Sequence, residues 1–529
     1  MSSSPYGPSR GAVAAGHSLT AAAGAEMLRQ GGNAFDAAIA AAFTACVTES
    51  ALTSLGGGGF LLAHTAAGHN RLFDFFCQTP QGKAAPGPVD FFPIQANFGD
   101  TVQEFHVGMG SMAVPGTVAG LVEIHQQLGR LSLKAVVAPA QHWAIRGTVI
   151  EPFRAYCFRI LEPILTATAA AAALYAPGGH LLQVGDRFSL PEFASLLTEL
   201  VETGADLFYQ GRLAQQLAAD SAHQGGYLRL QDLQAYRVIE RQPLAVPYGP
   251  HLLLTNPPPS SGGALIAFAL DLLASLAPQG LEHGSPAHVV ALVEVMRLTN
   301  LARQDGYDRH LYQADIAQRF LGDDHSAPYR QRLQATLGGK GVNKWGSTTH
   351  ISAVDGEGNA VSMTTSNGEG SAYVLPGTGV MINNMLGEED LNPQGFHQWP
   401  ANQRISSMMA PTIVLTGGKP GLVLGSGGSN RIRTAILQVV SNVLDFGLDL
   451  EAAVHAPRLH WERGALHLEP GYHRPSLEEA GLTQGQDCTW WDQPNMFFGG
   501  VHAVAVTATG DCAAVGDRRR NGACAIVAE

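Results

Sequence analysis

Ser347-Thr348-Thr349-His350-Ile351-Ser352-Ala353-Val354-Asp355-Gly356-Glu357-Gly358-Asn359-Ala360-Val361-Ser362-Met363-Thr364-Thr365-Ser366-Asn367 reads as a β-hairpin. Ile351 to Val354 and Ala360 to Thr364 alternate in the manner of strands, and Asp355 to Asn359 brings the glycines that a hairpin turn needs. Further hairpins are expected at Thr412 to Leu424, turning at Gly417-Gly418-Lys419-Pro420, and at Val501 to Val506 with Cys512 to Val515. Ser429 to Phe446 and Leu450 to Ala456 have helical patterns, and Gly11 to Phe43 reads as two helices joined at Gly31-Gly32-Asn33. From about Leu121 to Gln334 the pattern is mainly helical, and its character changes near Asn343. Hairpins interleaved with helices in one continuous unit imply an α+β fold, with helices on the faces of antiparallel sheets.

Thr348 stands at the start of the first strand of this hairpin. A threonine hydroxyl is a poor nucleophile unless a base stands beside it, and scission between Ser347 and Thr348 would create one, the new α-amino group. The ordinary pKa of such an amine, about 7.7 to 8.0, leaves a substantial unprotonated fraction near neutral pH, so one residue can be both nucleophile and base. Threonine is commonplace in strands, so Thr-Thr-His alone carries little weight.

The bulk numbers narrow the field. With 45% hydrophobic and 14% charged residues the chain can build a large core, and 62 glycines suit many tight turns and close backbone approaches. A formal charge of -12 argues against nucleic acid or an anionic membrane as the main partner. The run Arg518-Arg519-Arg520 reads as a solvated turn near the C-terminus. Six cysteines at 46, 77, 157, 488, 512 and 524 show neither zinc nor disulfide spacing, and reduced, mostly buried thiols are expected. Met1 to Thr20 lacks the pattern of a signal peptide, and no apolar stretch is long enough to span a bilayer, so the expectation is a cytoplasmic protein. Histidines show no paired spacing near carboxylates, so no metal site and no cofactor are expected. Leu55-Gly56-Gly57-Gly58-Gly59-Phe60 lacks the Lys-Ser/Thr of a phosphate loop and reads as a buried tight turn.

Seven blocks spread along the chain resemble the γ-glutamyltranspeptidase family in that family's order: residues 16–40, 54–60 (SLGGGGF), 111–120 (SMAVPGTVAG), 256–266 (NPPPSSGGALI), 347–367, 405–412 (ISSMMAPT) and 424–432 (LGSGGSNRI). The resemblance implies a four-layer αββα Ntn-hydrolase fold. It also implies self-cleavage before Thr348 into a large chain, 1–347, and a small chain, 348–529, which stay together as a heterodimer; that heterodimer could pair again. By position it gives Thr348 as nucleophile, Ser366 as a hydroxyl partner of the nucleophile, Gly427 and Gly428 as the oxyanion hole, and Ser406 and Ser407 as a carboxylate-binding pair. From the residues alone, Gly427-Gly428 reads as a loop turn and Ser406-Ser407 as a solvated pair.

The family's Asp-x-Arg-Glu segment is Asp74-Phe75-Phe76-Cys77 here, which puts Phe76 where an arginine holds the γ-glutamyl carboxylate. Losing such a charge-assisted bond costs about 1.5–3 kcal/mol, and an uncompensated carboxylate costs more. Asn383-Asn384 is followed by Met385-Leu386-Gly387-Glu388-Glu389-Asp390, so acid remains with its register shifted. Phe75 and Phe76 are expected to shrink the acyl pocket. These departures resemble the oxamate amidohydrolase branch, which implies hydrolysis of oxamate to oxalate and ammonia, in purine catabolism. Arg431, Arg433 and Arg404 are candidates to hold the substrate carboxylate, with Arg431 taken as the substrate-binding residue. A glutathione hydrolase or γ-glutamyltransferase, and an unprocessed binding homologue without catalysis, stay open as alternatives.

Overall fold

The computed structural model describes residues 9–83, 87–97, 102–333, 347–392 and 394–528 of the 529. Thirteen strands carry the architecture: β1 Ser9–Ala15, β2 Gly58–His64, β3 Asn70–Phe75, β4 Ile239–Arg241, β5 Leu244–Tyr248, β6 His251–Thr255, β7 Thr349–Asp355, β8 Ala360–Ser366, β9 Thr412–Thr416, β10 Lys419–Gly427, β11 Gly500–Val506, β12 Cys512–Val515 and β13 Ala523–Ala528. They form a seven-stranded sheet in the order β13-β1-β7-β8-β2-β3-β4 and a six-stranded sheet in the order β12-β11-β10-β9-β6-β5, with antiparallel pairing throughout.

The two sheets pack face to face, because successive side chains of a strand point to opposite faces. On β1, Ala12 and Ala14 meet the second sheet, while Val13 and Ala15 meet the helices α1 (Ser18–Arg29) and α2 (Ala34–Thr48). Every residue of α2 is buried, as its run of alanines allows, and Asn33 and Asp36 cap its start by bonding reciprocally to each other's backbone. The outer face of the six-stranded sheet carries α3 (Gly262–Ala274) and α5 (Arg431–Leu444), with α4 (Pro286–Ala302) behind α3. The layers therefore run helix, sheet, sheet, helix.

The three expected hairpins are present as β7–β8, β9–β10 and β11–β12. Three segments differ from expectation. Strands β4, β5 and β6 fall inside the section read as mainly helical, and Gly58 to Phe60, read as part of a tight turn, belong to β2. Residues 11–15, read as helix, are part of β1, a strand buried on both faces whose alanines give no polar alternation. Strands from both sides of the Ser347–Thr348 bond interleave: β1 pairs with β7 and β13, β2 with β8, and β6 with β9. Scission there breaks no layer and leaves the two products hydrogen-bonded along their strands. No helix of the described residues is long and apolar enough to cross a membrane.

Candidate active site

Thr348 precedes β7, a central strand of the seven-stranded sheet, and is buried. Its Oγ1 donates to the carbonyl oxygen of Ser347 at 2.7 Å, and Ser366 Oγ, at the end of β8, donates to the same oxygen at 2.7 Å. The two hydroxyl oxygens are 3.5 Å apart. Ser366 Oγ also accepts the N–H of Gly368 at 3.0 Å, which fixes its rotamer. The glycine run Gly57 to Gly59 lies flat on β8. A Cβ on Gly57 would fall 2.2 Å from Ser366 O, and one on Gly59 2.4 Å from Thr364 O, so glycine is what lets β2 press Ser366 into place.

His350 is not a base for Thr348. It lies between the sheets, its ring nitrogens engaged with Thr364 Oγ1 at 2.8 Å and Ser352 Oγ at 3.0 Å. Burial holds its pKa well below the ordinary imidazole value, so it is neutral. Gly425 makes room for that ring, since a Cβ there would meet it at 2.3 Å.

Gly427 ends β10 directly on the nucleophile: a Cβ would sit 2.0 Å from the carbonyl oxygen of Thr348. Gly428 has φ +125° and Ser429 φ +49°, so the chain turns sharply before α5 begins at Arg431. In this uncleaved chain Gly427 approaches the carbonyl of Thr348 and Gly428 lies against Arg520 and Gly499, whereas the Ser347 carbonyl receives the two hydroxyls.

A small cavity opens on Thr348, lined by Ser347, Ser366, Ser407, Ser429, Glu388 and Asp390 together with Phe76, Met385, Leu391, Met408, Met409 and Ile432. Ser407 is in this cavity; Ser406 faces the neighbouring one beside Tyr312. Phe76 lines it and stacks on Phe60 at 5.5 Å. Phe75, expected beside it, instead turns into the helical core against Gly120, as strand alternation requires.

The expected arginines are elsewhere, because each is held by a partner of its own. Arg431 is buried with its guanidinium 5.1 Å from the centre of the Phe497 ring, and burial lowers its pKa to about 10. Arg433 bonds Asn300 at 2.7 Å and pairs with Glu462. Arg404 holds the Phe76 carbonyl, the Tyr236 hydroxyl and Asp74. Among the described residues no lysine or arginine lines the cavity.

Two groups were not found by reading the sequence. Arg519 and Arg520, expected in a solvated turn, are buried. Arg519 pairs with Glu469 and Asp517, while Arg520 Nη1 donates to the carbonyl oxygen of Thr348 at 3.1 Å and sits against Gly427 and Gly428. The second is a buried acid pair. Glu369 Oε1 accepts the N–H of Ser347 at 2.9 Å, and its carboxyl bonds that of Glu388. Burial, with the negative neighbours beside them, raises Glu388 well above the usual carboxylate range and Glu369 to about 7. Asp390 accepts from Ser429 Oγ at 2.8 Å at the rim. No cluster of three or more His, Cys, Asp or Glu with metal-holding geometry occurs among the described residues.

The profile of the family described as γ-glutamyltranspeptidase matches residues 20–527. The Acylase ACY 1 proenzyme of Pseudomonas sp. (strain SE83) is 30% identical over 515 residues, covering 96% of this chain and 91% of that protein. The glutathione hydrolase proenzyme of Escherichia coli (strain K12) is 30% identical over 504 residues, covering 90% and 85%. Among solved structures, the cephalosporin acylase from Bacillus halodurans superposes with a TM-score of 0.84 at 25% identity, covering 99% of this chain and 98% of that one. The layered sheets, the hydroxyl pair on one carbonyl and these full-length matches together show that the chain belongs to the γ-glutamyltranspeptidase family and has its Ntn-hydrolase fold.

Proposed function

We propose that the chain is a precursor that cleaves itself between Ser347 and Thr348 and then hydrolyses a short-chain amide with Thr348 as its N-terminal nucleophile. The observation that carries this reading is the convergence of the Thr348 and Ser366 hydroxyls on the Ser347 carbonyl oxygen. One hydroxyl is poised to attack that carbonyl and the other to stabilise the charge that develops on its oxygen. Proenzyme relatives named acylase and glutathione hydrolase agree with both scission and amide hydrolysis.

In the mature form the Thr348 amine takes the hydroxyl proton as Oγ1 attacks the substrate carbonyl, and then delivers it to the leaving nitrogen. Water hydrolyses the acyl ester that remains. Gly427 and Gly428 are the proposed oxyanion donors; the absence of a side chain brings Gly427 against Thr348, and the start of α5 adds a favourable dipole.

The cavity walls rank the acyl groups. Asp390, with no facing cation among the described residues that line the cavity, favours a short acyl group that is uncharged or carries an ammonium. A γ-glutamyl group gains at its ammonium and loses at its carboxylate, where Phe76 replaces a cation. Oxamate is the second reading, favoured by the short cavity that Phe76 leaves. Its carboxylate would depend on the hydroxyls of Ser407 and Ser429 and on the protonated Glu388 carboxyl.

Incubating the processed protein with β-alaninamide, oxamate and glutathione, and assaying ammonia and glutamate, tests the ranking. The expected order is the amine-bearing amide first, oxamate second and glutathione last, with nothing turned over by Thr348→Ala. Activity surviving in that variant refutes the mechanism, and preferential release of glutamate reverses the ranking.

A further inference from the structure

We propose that Glu369 is a positioning residue for the scission of the chain, gripping the N–H of Ser347 while Ser366 grips the same residue's carbonyl. This rests on the self-cleavage proposed above and assigns a role in that step to a residue outside the substrate cavity.

The grip comes from one turn. Ser366 ends β8, and the chain then turns through Gly368, φ +59°, to bring Glu369 back beside the residue that Ser366 already holds. Glycine suits both the positive φ and the space, since a Cβ on Gly368 would fall 2.1 Å from Glu388 Oε1 and 2.2 Å from Asn384 Oδ1 and displace those side chains. Asn384 Oδ1 locks the turn by accepting the N–H groups of Glu369 at 2.9 Å and Gly370 at 3.2 Å. Glu369 Oε1 then takes the Ser347 N–H at 2.9 Å, and Ser366 Oγ the Ser347 carbonyl at 2.7 Å. Both ends of one residue are thus fixed, and its carbonyl carbon is the one that Thr348 must attack.

Burying a carboxyl pair is costly. The pair is buried, with Ser347 and the Glu388 carboxyl as the hydrogen-bond partners of Glu369. A carboxyl placed at such cost, whose side chain reaches the residue before the nucleophile, points to work done on that residue.

The step balances as follows. Thr348 Oγ1 adds to the Ser347 carbonyl carbon, the C–N bond to Thr348 breaks, and the hydroxyl proton ends on the released nitrogen. Water then hydrolyses the ester, leaving a carboxylate on Ser347 and the hydroxyl and amine on Thr348.

The test follows scission of the full-length chain by denaturing gel and mass spectrometry for wild type, Glu369→Met and Glu369→Gln. Methionine fills the space and removes the acceptor, so scission should slow by about tenfold or more and by a larger factor than kcat falls in the matured variant. Glutamine keeps Oε1 as acceptor, so Glu369→Gln should stay within about threefold of wild type. Scission of Glu369→Met at the wild-type rate overturns the proposal, as does Glu369→Gln cleaving as slowly as a chain without the acceptor. Should Glu369→Met fail to fold, by circular dichroism, Glu369→Leu takes its place as the chain without the acceptor, with the same expected slowing and the same overturning result. A wild-type chain that never cleaves defeats the self-cleavage reading instead.

Discussion

The guanidinium of Arg520 donates to the carbonyl oxygen of Thr348 at 3.1 Å, tying the last stretch of the chain to the nucleophile. It also reaches Met496 O at 3.3 Å, and although burial lowers its pKa to about 10 it stays charged at neutral pH. Such a charge-assisted bond contributes about 1.5–3 kcal/mol. Arg520→Met should lower both the melting temperature and kcat. A cation held at the nucleophile's own residue also disfavours protonation of the freed amine, so the acid limb of the pH–rate profile should move to higher pH in Arg520→Met. An unchanged limb and an unchanged kcat together contradict this role.

Ser366 donates to the oxygen that turns negative when Thr348 attacks the Ser347 carbonyl. Loss of one such donor costs about 10²–10³ in rate. Scission of Ser366→Ala, followed by gel in freshly translated chain, should slow by that factor, while Ser366→Thr, which keeps a hydroxyl, should cleave at a rate near wild type.

Gly427→Ala puts a Cβ 2.0 Å from Thr348 O, which nothing short of moving β10 or the nucleophile can relieve. Overpacking of this kind costs about 1–3 kcal/mol, and here it displaces the reacting residue as well. Thermal melts and turnover should both fall. Gly82→Ala, at a glycine with nothing within 4 Å, is the control and should match wild type in both.

The acid pair gives stability a pH slope. Glu369 and Glu388 have folded pKa values raised above the ordinary glutamate range, Glu369 to about 7, so between the unfolded and folded pKa values the folded chain binds more protons than the unfolded one. Stability from this pair is therefore greatest below the unfolded pKa of about 4.3 and declines as pH rises through the folded value. The melting temperature of wild type should fall from pH 5 to pH 7.5 more steeply than that of Glu369→Gln. Parallel curves argue against a shared proton.

Much of this arrangement was legible in residue order, and the exceptions have physical causes. The hairpins at β7–β8, β9–β10 and β11–β12 were readable because their strands alternate apolar and polar residues or turn at glycines. β1 was not, since Ala12 to Ala15 are buried on both faces and an alanine run carries no period-two signal. Phe75 and Phe76 could have been told apart, because adjacent residues leaving a strand face opposite ways. Arg519 and Arg520 look like solvent-facing charge in sequence. Their burial depends on Glu469 and Asp517 as partners and on the β13 strand that follows closing onto β1. Glu369 is opaque for a related reason: its partner is a backbone N–H 22 residues earlier, a relation that no spacing rule encodes.

Catalysis by Thr348 depends most directly on the covalent state of the active protein. Intact-mass measurement with N-terminal sequencing of purified, functioning enzyme should give two polypeptides, one of them beginning at Thr348. A single uncut polypeptide that hydrolyses amides at full rate contradicts it, because Thr348 would then have no free amine to serve as its base.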